Sequence, residues 1–281
     1  MSKKERLDIL LAERDYYRSR SQAKRAIMAG EVKVNNEIVD KAGTKIDSQA
    51  KIEIKEKPPY VSRGGKKLKK ALTAFAIEVQ DKIALDIGSS TGGFTDCLLQ
   101  EGAREVYAVD SGTNQLAWKL RKDERVKVFE QTKFHELKPG DLPAVFQLVT
   151  VDVSFISLGL ILPVAVNFMQ RGADIIALIK PQFEAGPDKV GKGGVVKDTS
   201  IQIEVIEKIL IQSLELGIEP KNLSYSPITG ASAGNREFLF QGIYQPAKID
   251  DLNQNKDKII TDWQDKIVAT VTKAQHELGR G

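Results

Sequence analysis

The sequence predicts an α/β protein: a doubly wound, mostly parallel sheet of seven strands, preceded by a small α+β module. From residue 82 onward, short apolar runs of strand character alternate with amphipathic helical segments, a pattern typical of such a sheet. A glycine-rich turn follows the first of these runs. The first 57 residues have a different pattern, and the consecutive prolines Pro58 and Pro59 after them favour an extended boundary between domains.

The pattern of the N-terminal module predicts two helices followed by a small β-hairpin layer. A leucine-rich run after residue 6 indicates the first helix. Ser19 is a suitable N-cap for the second helix, which Gly30 should end. Ala23, Ile27 and Met28 should face the interior of the module. Basic residues crowd the first 25 positions, and their charge alone is equally compatible with a solvated face.

An amphipathic helix is expected after the two prolines. Its apolar face is formed by Leu68, Ala71, Leu72 and Phe75. At roughly 100° per residue, Lys66 and Lys70 point away from that face, whereas Lys67 and Lys69 lie on its borders. A border lysine can bend into a cleft at the edge of the core, or it can remain an ordinary surface lysine.

The larger part of the chain supplies the sheet. The predicted strands lie near 83–87, 105–109, 126–129, 147–151, 174–179, 223–227 and 237–243. The predicted helices lie at about 92–101, 113–121, 158–170 and 199–216. In a doubly wound sheet ligands bind at the carboxyl ends of the strands, so the functional residues should be sought there.

The first strand of this sheet runs into a turn that contains three glycines. Such a turn is often only tight packing between a strand and a helix. Here Asp86 precedes the turn, and Asp110 ends the next strand, where a carboxylate can accept two ribose hydroxyls. Because Ser90 stands where a dinucleotide fingerprint requires glycine, the pattern favours S-adenosylmethionine over a nicotinamide dinucleotide. The candidate cofactor-binding residues of the turn and strands are Asp86, Gly88, Ser89, Ser90, Thr91, Gly92, Gly93 and Asp110.

Later strands end in ionisable residues. Asp152 follows the fourth strand, Lys180 closes the fifth just before a proline, and Glu237 opens the last. Burying an unpaired ammonium is costly, so a lysine that closes an apolar strand either escapes to solvent or has partners. Three ionisable groups on the same rim of one sheet favour partners.

Composition limits the classes of protein that remain. The net charge of +4 is a mild basic excess, so the positions of the charges matter more than their sum. The single cysteine, Cys97, cannot form an internal disulfide and is best read as a buried thiol in a reducing compartment. No signal segment or membrane-length apolar run is visible, so a cytoplasmic location without membrane association is expected, and a pore-forming hemolysin is not.

Several stretches resemble known families. Residues 6–8, 19–23, 27–30 and 32–35 resemble the small RNA-binding domain named after ribosomal protein S4. Together with 62–68, 151–155 and 234–237, they are similar to the TlyA family, which joins that domain to an FtsJ/RrmJ-like methyltransferase domain. That family is described both as rRNA 2′-O-methyltransferase and as hemolysin A. The resemblance implies a Rossmann-like fold, S-adenosylmethionine as cofactor, ribosomal RNA or subunits as partner, and no metal ion.

The resemblance also implies roles for individual residues. Lys67, Asp152, Lys180 and Glu237 match the Lys-Asp-Lys-Glu tetrad of ribose 2′-O-methyltransferases. Lys180 is the candidate acceptor of the hydroxyl proton: crowding by Lys67 favours its neutral form and Asp152 its charged form, which leaves the balance open. Thr132 belongs to a loosely matching adenine-contact motif, in which Lys133 replaces asparagine. The RNA-binding residues implied are Lys3, Lys4, Arg6, Arg18, Arg20, Lys24, Arg25 and Arg63.

The expected organisation is therefore a chain of four parts. They are an RNA-binding domain at 1–57, a linker at 58–67, a methyltransferase domain at 68–245 and a helical tail at 246–281. The tail carries an apolar stripe that should dock on the body. The Gly- and Lys-rich loop between 184 and 197 is either a substrate lid or a plain surface loop. A catalytically idle RNA-binding or assembly protein with the same fold remains the alternative function.

Overall fold

The computed structural model describes residues 4–55, 58–142, 145–230 and 234–279. It contains two compact units, Met1–Pro58 and Pro59–Gly281, which are described separately below.

The N-terminal unit combines two helices with two small antiparallel sheets in its described part. Its elements are β1 (Lys4–Arg6), α1 (Leu7–Glu13), α2 (Arg20–Met28), β2 (Val32–Val34), β3 (Glu37–Ile38), β4 (Lys45–Asp47) and β5 (Ile52–Ile54). Strand β1 pairs with β4, and β2 lies between β3 and β5. The two predicted helices and the predicted strands at 32–34 and 51–54 are thus present.

The core of this unit forms where α1 and α2 meet. Ser19 caps α2 as predicted, because its Oγ accepts a hydrogen bond from the Gln22 amide at 3.3 Å. The prediction for Met28 was wrong: its side chain is 65% exposed, and Ala26 is buried beside Ala23. Met28 lies about 140° around the helix from Ala23, outside the apolar stripe.

The second unit is built on the predicted seven-stranded sheet. Its strands are β6 (Ile83–Ile87), β7 (Glu105–Val109), β8 (Val126–Phe129), β9 (Phe146–Val151), β10 (Met169–Ile179), β11 (Ile218–Tyr225) and β12 (Phe238–Tyr244). They are ordered β11-β12-β10-β9-β6-β7-β8. Only β12 runs antiparallel to its neighbours in this sheet. The carboxyl ends of the other six strands therefore meet at one edge.

Helices cover both faces of the sheet. They are α3 (Gly64–Phe75), α4 (Gly93–Gln100), α5 (Trp118–Arg121), α6 (Leu158–Ala165), α7 (Pro181–Glu184), α8 (Thr199–Glu215), α9 (Ile249–Gln254) and α10 (Lys256–Leu278). Helix α3 begins at Gly64, inside the segment predicted to be a linker. The helix predicted over 113–121 is only the single turn of α5. Glu130 accepts the amides of Asn114, Gln115 and Leu116, which holds that segment as a loop.

The tail docks on the body as its apolar stripe predicted. Ile267 and Val271 of α10 are buried in the core cluster that also contains α8 side chains. Gln264 donates to Glu207 at 2.7 Å, and Tyr225 of β11 donates to Glu277 near the end of α10. No helix in the described segments is long and apolar enough to cross a membrane.

Candidate active site

Four ionisable side chains meet at the carboxyl edge of the sheet. Lys180 Nζ lies 2.6 Å from Asp152 Oδ1. Lys67 Nζ lies 2.6 Å from Glu237 Oε2 and 3.7 Å from Asp152 Oδ2. The four groups form a chain in the order Lys180, Asp152, Lys67, Glu237, in which two cations alternate with two carboxylates. Lys180 Nζ also donates to Ser154 Oγ at 3.0 Å.

Four different elements deliver these side chains. Lys67 comes from α3, Asp152 follows β9, Lys180 joins β10 to α7, and Glu237 directly precedes β12. Lys67, Lys180 and Glu237 are only 9%, 6% and 3% exposed. Charges this deeply buried need partners, and each lysine has a carboxylate 2.6 Å away. The structure thus brings the predicted tetrad together, and the border position of Lys67 on its helix lets it reach the cleft.

The tetrad lies in a cavity of about 440 Å³ that opens into a second of about 530 Å³. The shared lining residues, which make the two cavities one continuous trench, are Gly88, Ser90, Asp152, Ser154 and Phe155. Beyond them, the second cavity contains Asp110 and Thr132 together with the apolar side chains of Val109, Phe134 and Ile156. The trench therefore has an ionic end and a second end, here called the apolar end, in which these apolar walls stand beside polar side chains such as those of Asp110, Thr132 and Lys133.

The glycine turn lies between the two ends, and its backbone amides are mostly occupied. Gly88 and Ser89 donate to the carbonyl of Val109 at 2.9 and 3.1 Å. Ser90 donates to Asp110 Oδ2 at 2.8 Å, and Gly92 donates to the carbonyl of Ser89 at 2.8 Å. A pyrophosphate bound at such a turn would need free amides. These four are not free, so the turn does not suit a dinucleotide.

The predicted cofactor residues divide into those that reach the trench and those that do not. The residues that line it are Gly88, Ser89, Ser90, Thr91, Gly93, Asp110 and Thr132. Gly88 has φ +81°, and a Cβ there would lie 2.8 Å from the Asp152 carbonyl oxygen, so glycine is required where β6 approaches β9. A Cβ on Gly92 would instead meet Leu120 and Leu116, which assigns that glycine to packing.

Asp86 is buried beneath the turn and does not line either cavity. Its Oδ2 accepts a hydrogen bond from Thr95 Oγ1 at 2.6 Å, and its Oδ1 accepts one from Thr150 Oγ1 at 3.2 Å. Desolvation by burial raises the pKa of Asp86 to about 7 despite these hydrogen bonds. Asp86 therefore ties β6 to α4 and β9 and supports the turn from below.

This burial predicts a pH-dependent stability. Folded Asp86 keeps its proton up to about pH 7, whereas the unfolded chain releases it near 3.8, so the native state binds more protons in between. The contribution of Asp86 to the free energy of unfolding should fall from about pH 4 to about pH 7, by about 1 kcal/mol per pH unit. In urea unfolding at several pH values, the stability of the wild type should fall more steeply over this range than that of Asp86→Asn, by about this amount. The exposed-site control Asp265→Asn should keep the wild-type slope, and a slope unchanged in Asp86→Asn would contradict the assignment.

The basic residues predicted to contact RNA differ in their surroundings. Arg6 Nε and Arg20 Nε donate to the buried Asp8 at 3.0 and 2.8 Å. The hydrogen bond from Arg6, aided by Arg20, holds the pKa of Asp8 at about 2. Arg20 therefore also joins α2 to α1, and Arg6 joins the end of β1 to α1. The other described basic residues of this set in the N-terminal unit are exposed: Lys4, Arg18, Lys24 and Arg25. Lys3 lies outside the described residues.

Arg63 belongs to the second unit and lies in the lining of the tetrad cavity, immediately before α3. Its exposed guanidinium provides a positive charge at the cavity rim. His135 and His276 are exposed.

Among the residues of the tetrad cavity that sequence reasoning missed are Ser154, Phe155, Gln182 and Phe183. Phe155 is 90% exposed with φ +63°, a strained conformation for a bulky residue. Its ring lies 5.0 Å from that of Phe183. Gln182 Oε1 is buried without a hydrogen-bond partner in the described part of the chain. The sequence feature that could have located these four residues is their position alone, since all four follow the strand ends that carry Asp152 and Lys180.

Comparison with known proteins gives one family match in each of the two units of the chain. Residues 60–244 match the FtsJ-like methyltransferase family, and residues 5–52 match the S4 domain. The chain belongs to the FtsJ-like methyltransferase family. It is thus an S4 domain joined to an FtsJ-like domain, and the architecture expected from the sequence is confirmed.

Named relatives of this family member cover most of its length. It is 55% identical over 240 residues to "Putative rRNA methyltransferase YqxC" of Bacillus subtilis (strain 168), covering 85% of each chain. It is 40% identical over 242 residues to "16S/23S rRNA (cytidine-2'-O)-methyltransferase TlyA" of Mycobacterium tuberculosis, covering 85% of this chain and 90% of the relative. The solved structure "Putative hemolysin from Streptococcus thermophilus" is similar with a TM-score of 0.71 and 42% identity, over 100% of this chain and 98% of that one.

Proposed function

We propose that this protein transfers a methyl group from S-adenosylmethionine to a ribose 2′-hydroxyl of ribosomal RNA. The observation that carries the proposal is the buried tetrad of Lys67, Asp152, Lys180 and Glu237, placed in a trench that continues to Asp110. The relatives named as rRNA methyltransferases support ribosomal RNA as the substrate. The S4 domain at residues 5–52 supports the same choice of partner.

The apolar end of the trench fits the adenosine part of S-adenosylmethionine. Both oxygens of Asp110 already accept backbone amides, from Ser90 at 2.8 Å and Gly112 at 2.7 Å, which fixes the carboxylate. Its remaining lone pairs can accept two ribose hydroxyls. Val109 and Phe134 provide apolar walls for a base. When bound here, S-adenosylmethionine supplies a methyl group activated by its sulfonium.

At the ionic end, the tetrad handles the proton of the attacking hydroxyl. A ribose hydroxyl is a weak nucleophile, so a nearby base or orienting group is needed. Lys180 Nζ is fixed by Asp152 and Ser154, and we assign it the acceptance of the hydroxyl proton. Because Lys180 is an ammonium in its ion pair with Asp152, it must first release a proton to solvent; it then takes the hydroxyl proton and becomes the paired ammonium again. Lys67 and Glu237 hold Asp152 in place from the other side.

The alternative is a catalytically idle RNA-binding protein that keeps the fold. An idle protein has no need to bury two lysines and two carboxylates, since replacing such groups with apolar residues is often neutral or stabilising. The intact tetrad therefore favours the enzyme.

The test is a methyl-transfer assay with labelled S-adenosylmethionine, separate small and large ribosomal subunits, and the corresponding free rRNAs. We expect label on a ribose 2′-oxygen, located by nuclease digestion and mass spectrometry. Label on a base would contradict the proposed reaction. RNA binding without transfer to any of these substrates would support the idle binder.

A further inference from the structure

A third cavity, of about 530 Å³, lies along a different face of α3 from the tetrad. Its lining residues are Pro59, Tyr60, Lys66, Lys69, Lys70, Thr73, Ala74 and Pro227. The helical positions 66, 69, 70 and 73 follow the spacing of a single helix face. Among the described residues the lining contains three lysines and no acidic side chain, and its exposed surface is mostly apolar. This surface is called here the α3 lysine groove: it can accept the apolar faces of sugars or bases, and Lys66 places an exposed ammonium beside them.

The α3 lysine groove adjoins the tetrad cavity. Lys66 lines the groove, and the next residue, Lys67, belongs to the tetrad. Likewise, Pro227 lines the groove and Ile228 lines the tetrad cavity. The two cavities share no lining residue, but neighbouring residues of α3 and of the segment after β11 line one and the other.

Two of the three lysines form no salt bridge in the described part of the chain, and the carboxylate of Glu277 acts on Lys70 only from a longer distance. Lys69 pairs with Glu101 at 2.7 Å. Lys66 and Lys70 have no carboxylate within salt-bridge distance in the described segments, and Lys66 is exposed. Lys70 Nζ lies 3.4 Å from the centre of the Tyr225 ring, and partial burial lowers its pKa. A phosphate placed between Lys66 and Lys70, which are one helical turn or about 6 Å apart along the axis, would compensate both.

We propose that the α3 lysine groove binds the sugar–phosphate backbone of the substrate RNA beside the nucleotide whose ribose enters the tetrad cavity. This rests on the proposed function. Phosphates would contact Lys66 and Lys70, while Tyr60 and the two prolines provide an apolar floor for sugars or bases. Because phosphate contacts position an RNA without reading its sequence, the groove sets the direction in which the strand crosses the active site.

The test compares Lys66→Glu, Lys66→Arg and the double variant Lys66→Ala/Lys70→Gln with the wild type. The matched control is Lys258→Glu, an exposed lysine on α10 near Glu219 at the start of β11, whereas Pro227 of the groove follows the end of that strand. Affinity for purified rRNA is measured across a salt series without methyl donor, so failure of the groove is distinguishable from failure of methyl transfer. Thermal unfolding of each variant confirms that it is folded.

We expect Lys66→Glu to weaken rRNA binding about tenfold and to reduce the slope of log affinity against log salt by about 1. The double variant should reduce the slope by about 2, whereas Lys66→Arg and Lys258→Glu should match the wild type. Binding of S-adenosylmethionine should not change. Wild-type rRNA affinity and salt slope in Lys66→Glu would overturn the proposal. So would a defect seen only with intact subunits, which would indicate that the groove meets a ribosomal protein.

Discussion

Lys180→Met should lower kcat for methyl transfer by a factor of about 10³ or more, with little change in cofactor affinity. Methionine keeps the unbranched apolar stem of the side chain but removes the terminal nitrogen, which lies 2.6 Å from Asp152 and 3.0 Å from Ser154. The attacking hydroxyl would then lose its proton acceptor, whereas Asp110 and the apolar end of the trench would be unchanged. Single-turnover methylation measures the loss, and calorimetric titration with S-adenosylhomocysteine measures cofactor binding.

Lys180→Arg separates two roles that Lys180→Met removes together. An arginine keeps the positive charge beside Asp152 but does not release its proton in a protein, so it cannot act as a base. If Lys180 accepts the hydroxyl proton, Lys180→Arg should be as inactive as Lys180→Met. The control Lys208→Met alters an exposed lysine whose Nζ donates to the Glu184 carbonyl, and it should keep full activity. Wild-type transfer by Lys180→Met would refute the assigned role.

The strand ends were the part of the site most open to prediction from sequence. In a parallel sheet, the residues at the carboxyl ends of successive strands lie at one edge of the sheet, whatever conformation the connecting loops adopt. That is why Asp110, Asp152 and Lys180 could be placed near each other before their contacts were known. The burial of Lys67 depended on which neighbours its helix meets, and here the family resemblance carried the prediction.

Other features depended on contacts that no local pattern encodes. Asp86 has the sequence position of a ligand-facing acid, but hydroxyls from Thr95 and Thr150 occupy both its oxygens. Glu130 prevents a helix over 114–116 by accepting amides about fifteen residues away. Both cases are long-range hydrogen bonds, which helical or strand periodicity cannot report.

Removing either member of the Lys67–Glu237 pair should cost both stability and activity. Lys67→Met leaves Glu237 buried without its cation, so the free energy of unfolding should fall by about 3 kcal/mol or more. Glu237→Met should cost less, because Lys67 keeps Asp152 at 3.7 Å as a second partner. Each variant should also transfer methyl groups at least about 10²-fold more slowly: Lys67→Met removes the second cation beside Asp152, and Glu237→Met removes the partner that positions Lys67.

The double variant Lys67→Met/Glu237→Met separates the two effects. Two well-packed apolar side chains can replace a buried ion pair with little loss of stability, so urea unfolding should show most of the lost free energy restored. Methyl transfer should stay low, because no apolar pair can hold Asp152. Wild-type activity in the double variant would make the pair purely structural. Additive losses of stability would show that Lys67 and Glu237 do not interact. The expected result is that stability recovers and activity does not. This result would show that burying these charges serves the reaction and not the fold.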